Sequence, residues 1–287
     1  MAQWVGRLLI ILAIGPMIGL FASAQNEAEE EIWRAVPDEN LLVFELTTGT
    51  VIVELAENFA PGHTSRIRNM VEAGVLNGTS FYRVIDGFVA QGGLNDDDQT
   101  DWPDLKNEND RALFQEGFVP FGNGDLYAPE VGHIGGFAAA RDEELELEWL
   151  LHCPGALAMA RNTDPDTGST DFYFTLAPQR YLDRNLTVFG RVLDGMEHLQ
   201  KLERGDRNVD SGVMDPVPEA NTIKSVRLAS TIVAEDRPAY QVMRVDSDAF
   251  ESNKLGRRIR TAEFFYRKPP HVLDICSYIV PVKAVAD

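Results

Sequence analysis

The sequence predicts a mainly β protein, a closed or nearly closed barrel capped by helices, and three observations carry that reading. Short apolar runs recur from Leu42 to Val233, several of them alternating with a period of two. Only two stretches in that span, around Ile67 and around Leu199, repeat at helical spacing. Gly, Asn, Asp and Pro punctuate the runs, as they do where many short strands are joined in a barrel.

The chain has 287 residues, 44% hydrophobic and 25% charged, which is ordinary globular composition. Its 26 Lys and Arg stand against 45 Asp and Glu, a formal net charge of −19. Such a surface repels a phosphate backbone, so nucleic acid is not an expected partner.

Residues 1–24 read as a secretory leader. Arg7 gives a short positive start, Leu8 to Phe21 is apolar but broken by Gly15, Pro16 and Gly19, and Ala22-Ser23-Ala24 supplies a small-residue cleavage pattern. The apolar run is too short and broken for the roughly 20 residues that span a bilayer. The expectation is cleavage before Gln25, export to the periplasm, and no stable membrane insertion afterwards. No Cys follows the cleavage site to take a lipid.

Residues 25–39 are an acidic linker. Leu42, Phe44 and Leu46, then Val51, Val53 and Leu55, alternate around Thr47-Thr48-Gly49 and predict a hairpin with one face toward a core. Pro61 suits the first turn of a helix, Ile67, Met70 and Val71 give its apolar stripe, and Gly74 suits the left-handed residue after its end. Thr79 to Ala90 reads as another strand, ending at Gln91-Gly92-Gly93. Residues 95–148 mix acidic runs, glycines and aromatics with poor periodicity and read as a long, partly irregular insertion with some local structure. Gly155 to Ala160, Asp171 to Leu176 and Thr187 to Val192 are three further strands. Met196, Leu199 and Leu202 mark a short helix closed by Gly205, and Ile223 to Val233 is a last strand. The domain so bounded is 40–235. Residues 236–287 form a C-terminal extension with an alternating run, Tyr240 to Val245, and a basic cluster, Arg257 to Arg260; it reads as an accessory element on the barrel. In an oxidising compartment Cys153 and Cys276 can form one disulfide; two buried thiols are the alternative.

Much familiar chemistry is missing. His63, His133, His152, His198 and His271 form no metal-spaced pair, and there is no C-x-x-C or G-x-S-x-G. Gly122-Asn123-Gly124 does not follow a strand and fails as a dinucleotide loop. Each histidine is expected to be a packing or surface residue.

What is present resembles the cyclophilin family. Phe81-Tyr82-Arg83-Val84-Ile85-Asp86-Gly87-Phe88-Val89-Ala90-Gln91-Gly92-Gly93 is similar to the family's F-H-R-x-I-x-G-F-x-x-Q-G-G. Gly155 to Arg161 resembles its second signature. Asp171-Phe172-Tyr173-Phe174 stands where the family has Q-F-F-I, and Tyr181-Leu182-Asp183 and Val188 to Val192 resemble the segments that follow, all in family order from about Asn40 to Ala234. The resemblance implies an eight-stranded antiparallel cyclophilin-like barrel capped by two helices, here with a long insertion and a C-terminal extension. It implies a peptidyl-prolyl cis-trans isomerase that binds proline-containing segments of exported proteins on the outer barrel face, with no cofactor and no metal. Barrel closure removes sheet edges, so a monomer is expected.

Residue roles carry over by position. Arg83 would be the catalytic arginine, and Gln91 would hold it and hydrogen-bond the substrate backbone. Phe88, Val89, Tyr173 and Leu182 would line the proline pocket. Tyr82, Ala160, Arg161, Asp171 and Tyr181 would border the groove. Four departures stand out. Tyr82 replaces a His and keeps a hydrogen-bonding ring, Tyr173 adds a hydroxyl at the pocket wall, and Tyr181 stands where some members have Trp. Asp171 replaces a neutral Gln, and as an anion it would either compete for Arg83 or orient it. Two activities follow: an active isomerase, or a cyclophilin-like chaperone that holds proline segments with little turnover.

Overall fold

The computed structural model describes residues 31–95, 101–114, 117–122 and 124–285. The leader 1–24, its cleavage site, residues 25–30 of the linker and Asp96-Asp97-Asp98 lie outside the described residues.

The barrel is built from β2 (Leu41–Leu46), β3 (Gly49–Leu55), β4 (Ser80–Val84), β5 (Val89–Gly93), β11 (Ala156–Met159), β12 (Phe172–Thr175), β13 (Val188–Asp194) and β14 (Ile223–Leu228). Their order is β14-β2-β3-β13-β11-β12-β5-β4, with every neighbour antiparallel. The ends of the sheet meet: Ser80 bridges Thr222, and Ile223 N–H donates to Thr79 O at 2.8 Å. Alternation puts Phe44, Phe81, Phe172, Phe174 and Phe189 inside, all fully buried. Phe44 meets Phe172 and Phe174 edge-on at 5.9 and 5.6 Å, the favoured aromatic geometry. Helix α1 (Pro61–Glu72) and helix α2 (Met196–Gln200) pack Ile67, Met70 and Leu199 into the same core. Gly74 follows α1 at φ +70°, the conformation its sequence position predicted.

Four expectations change. Thr79 to Ala90 is not one strand: β4 and β5 form a hairpin that turns at Asp86-Gly87, with Gly87 at φ +63°. The last barrel strand stops at Leu228, where Ala229–Thr231 turns into a 3-10 helix. The linker is ordered at its end, because β1 (Trp33–Ala35) pairs with β15 (Ala239–Met243), which pairs with β16 (Val282–Val285). The insertion, expected to be partly irregular with some local structure, carries a five-stranded antiparallel sheet. It runs β6 (Arg111–Ala112), β7 (Phe118–Pro120), β8 (Glu130–Ile134), β9 (Phe137–Asp142) and β10 (Leu147–Leu150), in the order β6-β10-β9-β8-β7. A tight Gly135-Gly136 turn at φ +57° and +99° joins β8 to β9, conformations that favour glycine.

The insertion and the extension share a second core. Phe121 and Trp149 from the insertion meet Val242, Phe250 and Tyr278 from the extension, over Val43 and Ile52 on the outside of β2 and β3. Helix α3 (Asp248–Arg258) brings Phe250; it starts at Ser247, whose Oγ accepts the Phe250 N–H. A disulfide joins Cys153 to Cys276 across 123 residues. His133 sits in this core at 1% exposure, ringed by Phe121, Phe250 and Tyr278, with neither ring nitrogen hydrogen-bonded. Burial pulls its pKa down to about 3.

Candidate functional site

Antiparallel register assembles the site. Arg83 on β4 is opposite Gln91 on β5, Gln91 is opposite Tyr173 on β12, and Tyr173 is opposite Ala158 on β11. These four residues make one row across the outside of the barrel, while neighbours such as Ala90 and Phe172 point into the core. Register shifts between Ser80 and Arg83. The irregularity interrupts strict alternation, and both Tyr82 and Arg83 reach Gln91.

Gln91 orders its neighbours through one amide. Its Oε1 accepts from Arg83 Nη1 at 3.2 Å, and its Nε2 donates to the Tyr82 hydroxyl at 2.6 Å. The guanidinium can only donate, so it sets the amide oxygen toward itself and leaves Nε2 to the Tyr82 hydroxyl. Arg83 Nε donates to Ser211 O at 2.9 Å, and the guanidinium lies 5.6 Å from the centre of the Phe88 ring. These contacts hold a half-buried cation in one orientation, with its other N–H donors uncommitted among the described residues. Burial pulls its pKa below the usual arginine range, and the group remains charged at neutral pH.

Asp171 does not compete for Arg83. Among the described residues it forms no ion pair, and its Oδ1 accepts the Asn95 N–H at 3.1 Å, where β5 leaves for the insertion. Burial raises its pKa. Gly93 makes this possible, since a Cβ there would lie 2.2 Å from Asp171 Oδ1. Neither expected role of Asp171, competitor or orienter of the arginine, is present. The Tyr173 hydroxyl also differs from expectation: it turns from the pocket toward His152 Nε2, 2.9 Å away. His152 Nδ1 faces Asp183 at 3.1 Å, which leaves Nε2 to accept the tyrosine proton. Burial pushes the Tyr173 pKa well up.

Phe88, Val89, Tyr173, Ala160, Leu182 and Leu186 belong to one apolar cluster on this outer face. Two clefts flank Arg83 and Gln91. One, of about 500 Å³, is bordered by Arg83, Phe88, Gln179, Tyr181, Arg207 and Ser211. The other, of about 370 Å³, is bordered by Tyr82, Gln91, Ala160, Arg161, Thr170 and Asp171. Arg161 folds onto backbone carbonyls, donating to Asn185 O at 2.8 and 3.0 Å. Tyr181 is 60% exposed at the rim. All the residues expected at the site thus lie along this one face.

Residues outside the expected set also matter. The segment 205–214 runs along the free edge of β4, where Gly205 N–H donates to Val84 O and Met214 N–H to Tyr82 O, and it delivers the Ser211 carbonyl. Asp125, from the insertion, takes the Arg180 guanidinium through both oxygens at 2.9 and 3.0 Å. Arg180 opens the 3-10 turn that carries Tyr181 and Leu182, so the insertion braces one wall of the pocket. No local signal in the sequence marks either contact.

Comparison with known proteins agrees with this fold. The family described as cyclophilin type peptidyl-prolyl cis-trans isomerase matches residues 41–228. A probable peptidyl-prolyl cis-trans isomerase of Brucella suis is 29% identical over 184 residues, 63% of this chain and 81% of that protein. Peptidyl-prolyl cis-trans isomerase-like 1 of Gibberella zeae is 30% identical, covering 64% of this chain and 92% of that protein. The crystal structure of cyclophilin AquaCyp293 from Hirschia baltica superimposes with a TM-score of 0.72 at 30% identity, covering 90% of this chain and 95% of that one. That coverage exceeds residues 41–228, so the likeness extends beyond the barrel.

Proposed function

The chain belongs to the cyclophilin type family and is a peptidyl-prolyl cis-trans isomerase; on that premise we propose that Arg83 catalyses the rotation and that the substrates are X–Pro bonds of exported proteins. The observation that carries the first part is the restraint of Arg83: one hydrogen bond to Gln91, one to Ser211 O, no paired carboxylate among the described residues, and an apolar ring beside it.

An X–Pro amide rotates slowly because twisting it breaks resonance, at a barrier of roughly 18–20 kcal/mol. Nothing covalent has to form; the protein must favour the twisted amide over both planar ones. In the twisted state the prolyl nitrogen recovers its lone pair. A fixed guanidinium aimed at that nitrogen gains there what the planar ground state does not offer. The pyrrolidine ring rests on Phe88, Val89, Tyr173 and Leu182 while the residue before it turns. Gln91 holds the arginine and offers its amide to the substrate backbone. Ala160 and Arg161 border the strand of substrate that enters, and Tyr82 and Tyr181 sit at the two clefts. With Asp171 committed to Asn95, the position that would favour a non-catalytic holding module does not draw on Arg83.

Export rests on residues 1–24, so the mature protein would act on folding chains in the periplasm, as a monomer. N-terminal sequencing of the protein from the periplasmic fraction is expected to start at Gln25; a product retaining Met1 argues against it. In a protease-coupled assay on an Ala-Pro peptide, Arg83→Ala is expected to lower kcat/KM by at least about tenfold, equivalent to ~1.4 kcal/mol in the barrier. An unchanged rate removes Arg83 from the mechanism.

A further inference from the structure

We infer that the loop following α3 is a docking surface for an anionic phospholipid bilayer. The segment from Leu255 to His271 holds five Lys and Arg against one acid, Glu263, in a chain whose net charge is −19. Elsewhere the arginines are largely neutralised: Arg191 pairs with Glu54 at 2.8 Å, and Arg180 with both Asp125 and Asp183. Among the described residues, no carboxylate lies within ion-pair distance of Arg257, Arg260, Arg267 or Lys268. An acidic protein with carboxylates to spare leaves these four cations, close together along the chain, without an ion pair among the described residues.

The cations surround exposed rings. Phe264 is 89% and Tyr266 90% exposed, next to half-buried Phe265. Leaving two large rings in water forgoes the burial that normally stabilises them. The loop is nevertheless shaped. Lys268 Nζ donates to Thr261 O and Ala262 O, both at 2.8 Å, Arg260 lies over the Phe265 ring at 5.8 Å, and Arg267 over the Tyr266 ring at 5.8 Å. Both ends are fastened in the second core, by Phe250 on α3 and by Leu273, Ile275 and the disulfide at Cys276. The result is a fixed projection with aromatic rings flanked by cations.

That chemistry fits a bilayer surface. Amphipathic rings settle at the headgroup level and basic side chains meet lipid phosphates, and neither needs a shaped groove in the partner. The negative charge on the rest of the chain does not prevent it. At physiological ionic strength fields decay over about 8 Å, so the membrane senses the face turned toward it more than the chain's total. Bound this way, the isomerase would work beside the membrane that exported chains have just crossed, held peripherally rather than by a spanning segment.

Co-sedimentation of the full chain with phosphatidylglycerol–phosphatidylcholine vesicles, against phosphatidylcholine alone, tests the inference. The readout is the difference between the two, so attachment through apolar residues 8–21 cancels. Binding is expected to be at least about tenfold greater on the anionic vesicles and to fall to the neutral level at about 0.5 M salt. The combined change Arg260→Glu, Arg267→Glu and Lys268→Glu should abolish the difference, and Phe264→Ser with Tyr266→Ser should reduce it several-fold. Both variants should keep wild-type isomerase rates, which reports that the barrel is intact. Equal binding to both vesicle types, or anionic binding that survives the charge reversal, overturns the inference. So does capture of soluble polyglutamate without vesicle binding, which would point to an acidic protein instead.

Discussion

The two sides of the barrel use neighbouring strands of one sheet and end in opposite conditions. Outward residues of β2 and β3, such as Val43 and Ile52, are buried under the insertion and extension. The outward residues Arg83 and Gln91, on β4 and β5, stay half exposed beside open clefts. On the covered side even Glu54 is buried, at 3% exposure, and is held by Arg34 and Arg191 at 2.6 and 2.8 Å. The difference shows what the additions are for mechanically. They seal one side of the barrel with a second core and meet the other at its margin, through contacts that include Asp125 with Arg180 and Asn95 with Asp171, so stability and catalysis are expected to be largely separable.

Breaking the covered side should change stability most. Phe250→Ala removes a fully buried ring from the second core, and unfolding in denaturant is expected to show a loss of about 3–5 kcal/mol. The isomerase rate should stay near wild type at temperatures where the variant is folded. A large activity loss there would contradict the separation.

Acid should act on the same side. The unfolded chain takes up a proton at His133 below its ordinary pKa of 6.5, while the folded chain resists until about pH 3. This contribution is therefore fully present above pH 6.5 and is lost as the pH falls from 6.5 toward 3. The slope is at most about 1.4 kcal/mol per pH unit. His133→Phe, measured by denaturant midpoints across that range, should flatten the dependence; an unchanged slope would assign the acid sensitivity to other groups.

The open side should respond in rate. Arg83→Lys keeps the charge but cannot reproduce the simultaneous hold by Gln91 and Ser211. Its kcat/KM is expected to fall about tenfold, ~1.4 kcal/mol, with melting temperature unmoved. A lysine enzyme at wild-type rate would show that charge alone suffices.

The smallest effect sharpens the margin between the two sides. Asp125→Asn keeps the shape but weakens the clamp on Arg180, which Asp183 continues to hold at 2.6 Å. The turn carrying Tyr181 and Leu182 should loosen, raising KM by about threefold, under 1 kcal/mol, with kcat little changed. A drop confined to kcat would place Asp125 in a different role.

Much of the barrel was legible because its signals are local. Alternation in β2 and β3, Pro61 and Gly74 at the ends of α1, and the run from Phe81 to Gly93 need only neighbours along the chain. Even so, Leu41-Leu42-Val43-Phe44 is continuously apolar, which marks a strand buried on both faces; reading it as half-buried missed the cover. The sequence predicts local structure in the insertion but not its sheet, because the strands are short and interrupted, although Gly135-Gly136 between two apolar runs is a hairpin signal. The neutral-versus-acidic question at position 171 was not answerable from sequence at all. The partner of Asp171 is a backbone N–H, 76 residues away.

What the sequence determined alone is the family and the identity and order of Tyr82, Arg83, Phe88 and Gln91; that one hairpin brings them together is a finding of the structure, since the sequence reads Thr79 to Ala90 as a single strand. Tertiary structure decided how they are held. Ser211 reaches Arg83 across 128 residues, Asp125 reaches Arg180 across 55, and Cys153 joins Cys276 across 123. Side-chain pattern along a strand encodes which face a residue occupies, because the period is set by the backbone. It does not encode which distant segment arrives at that face, because that depends on how the remaining elements close over the core.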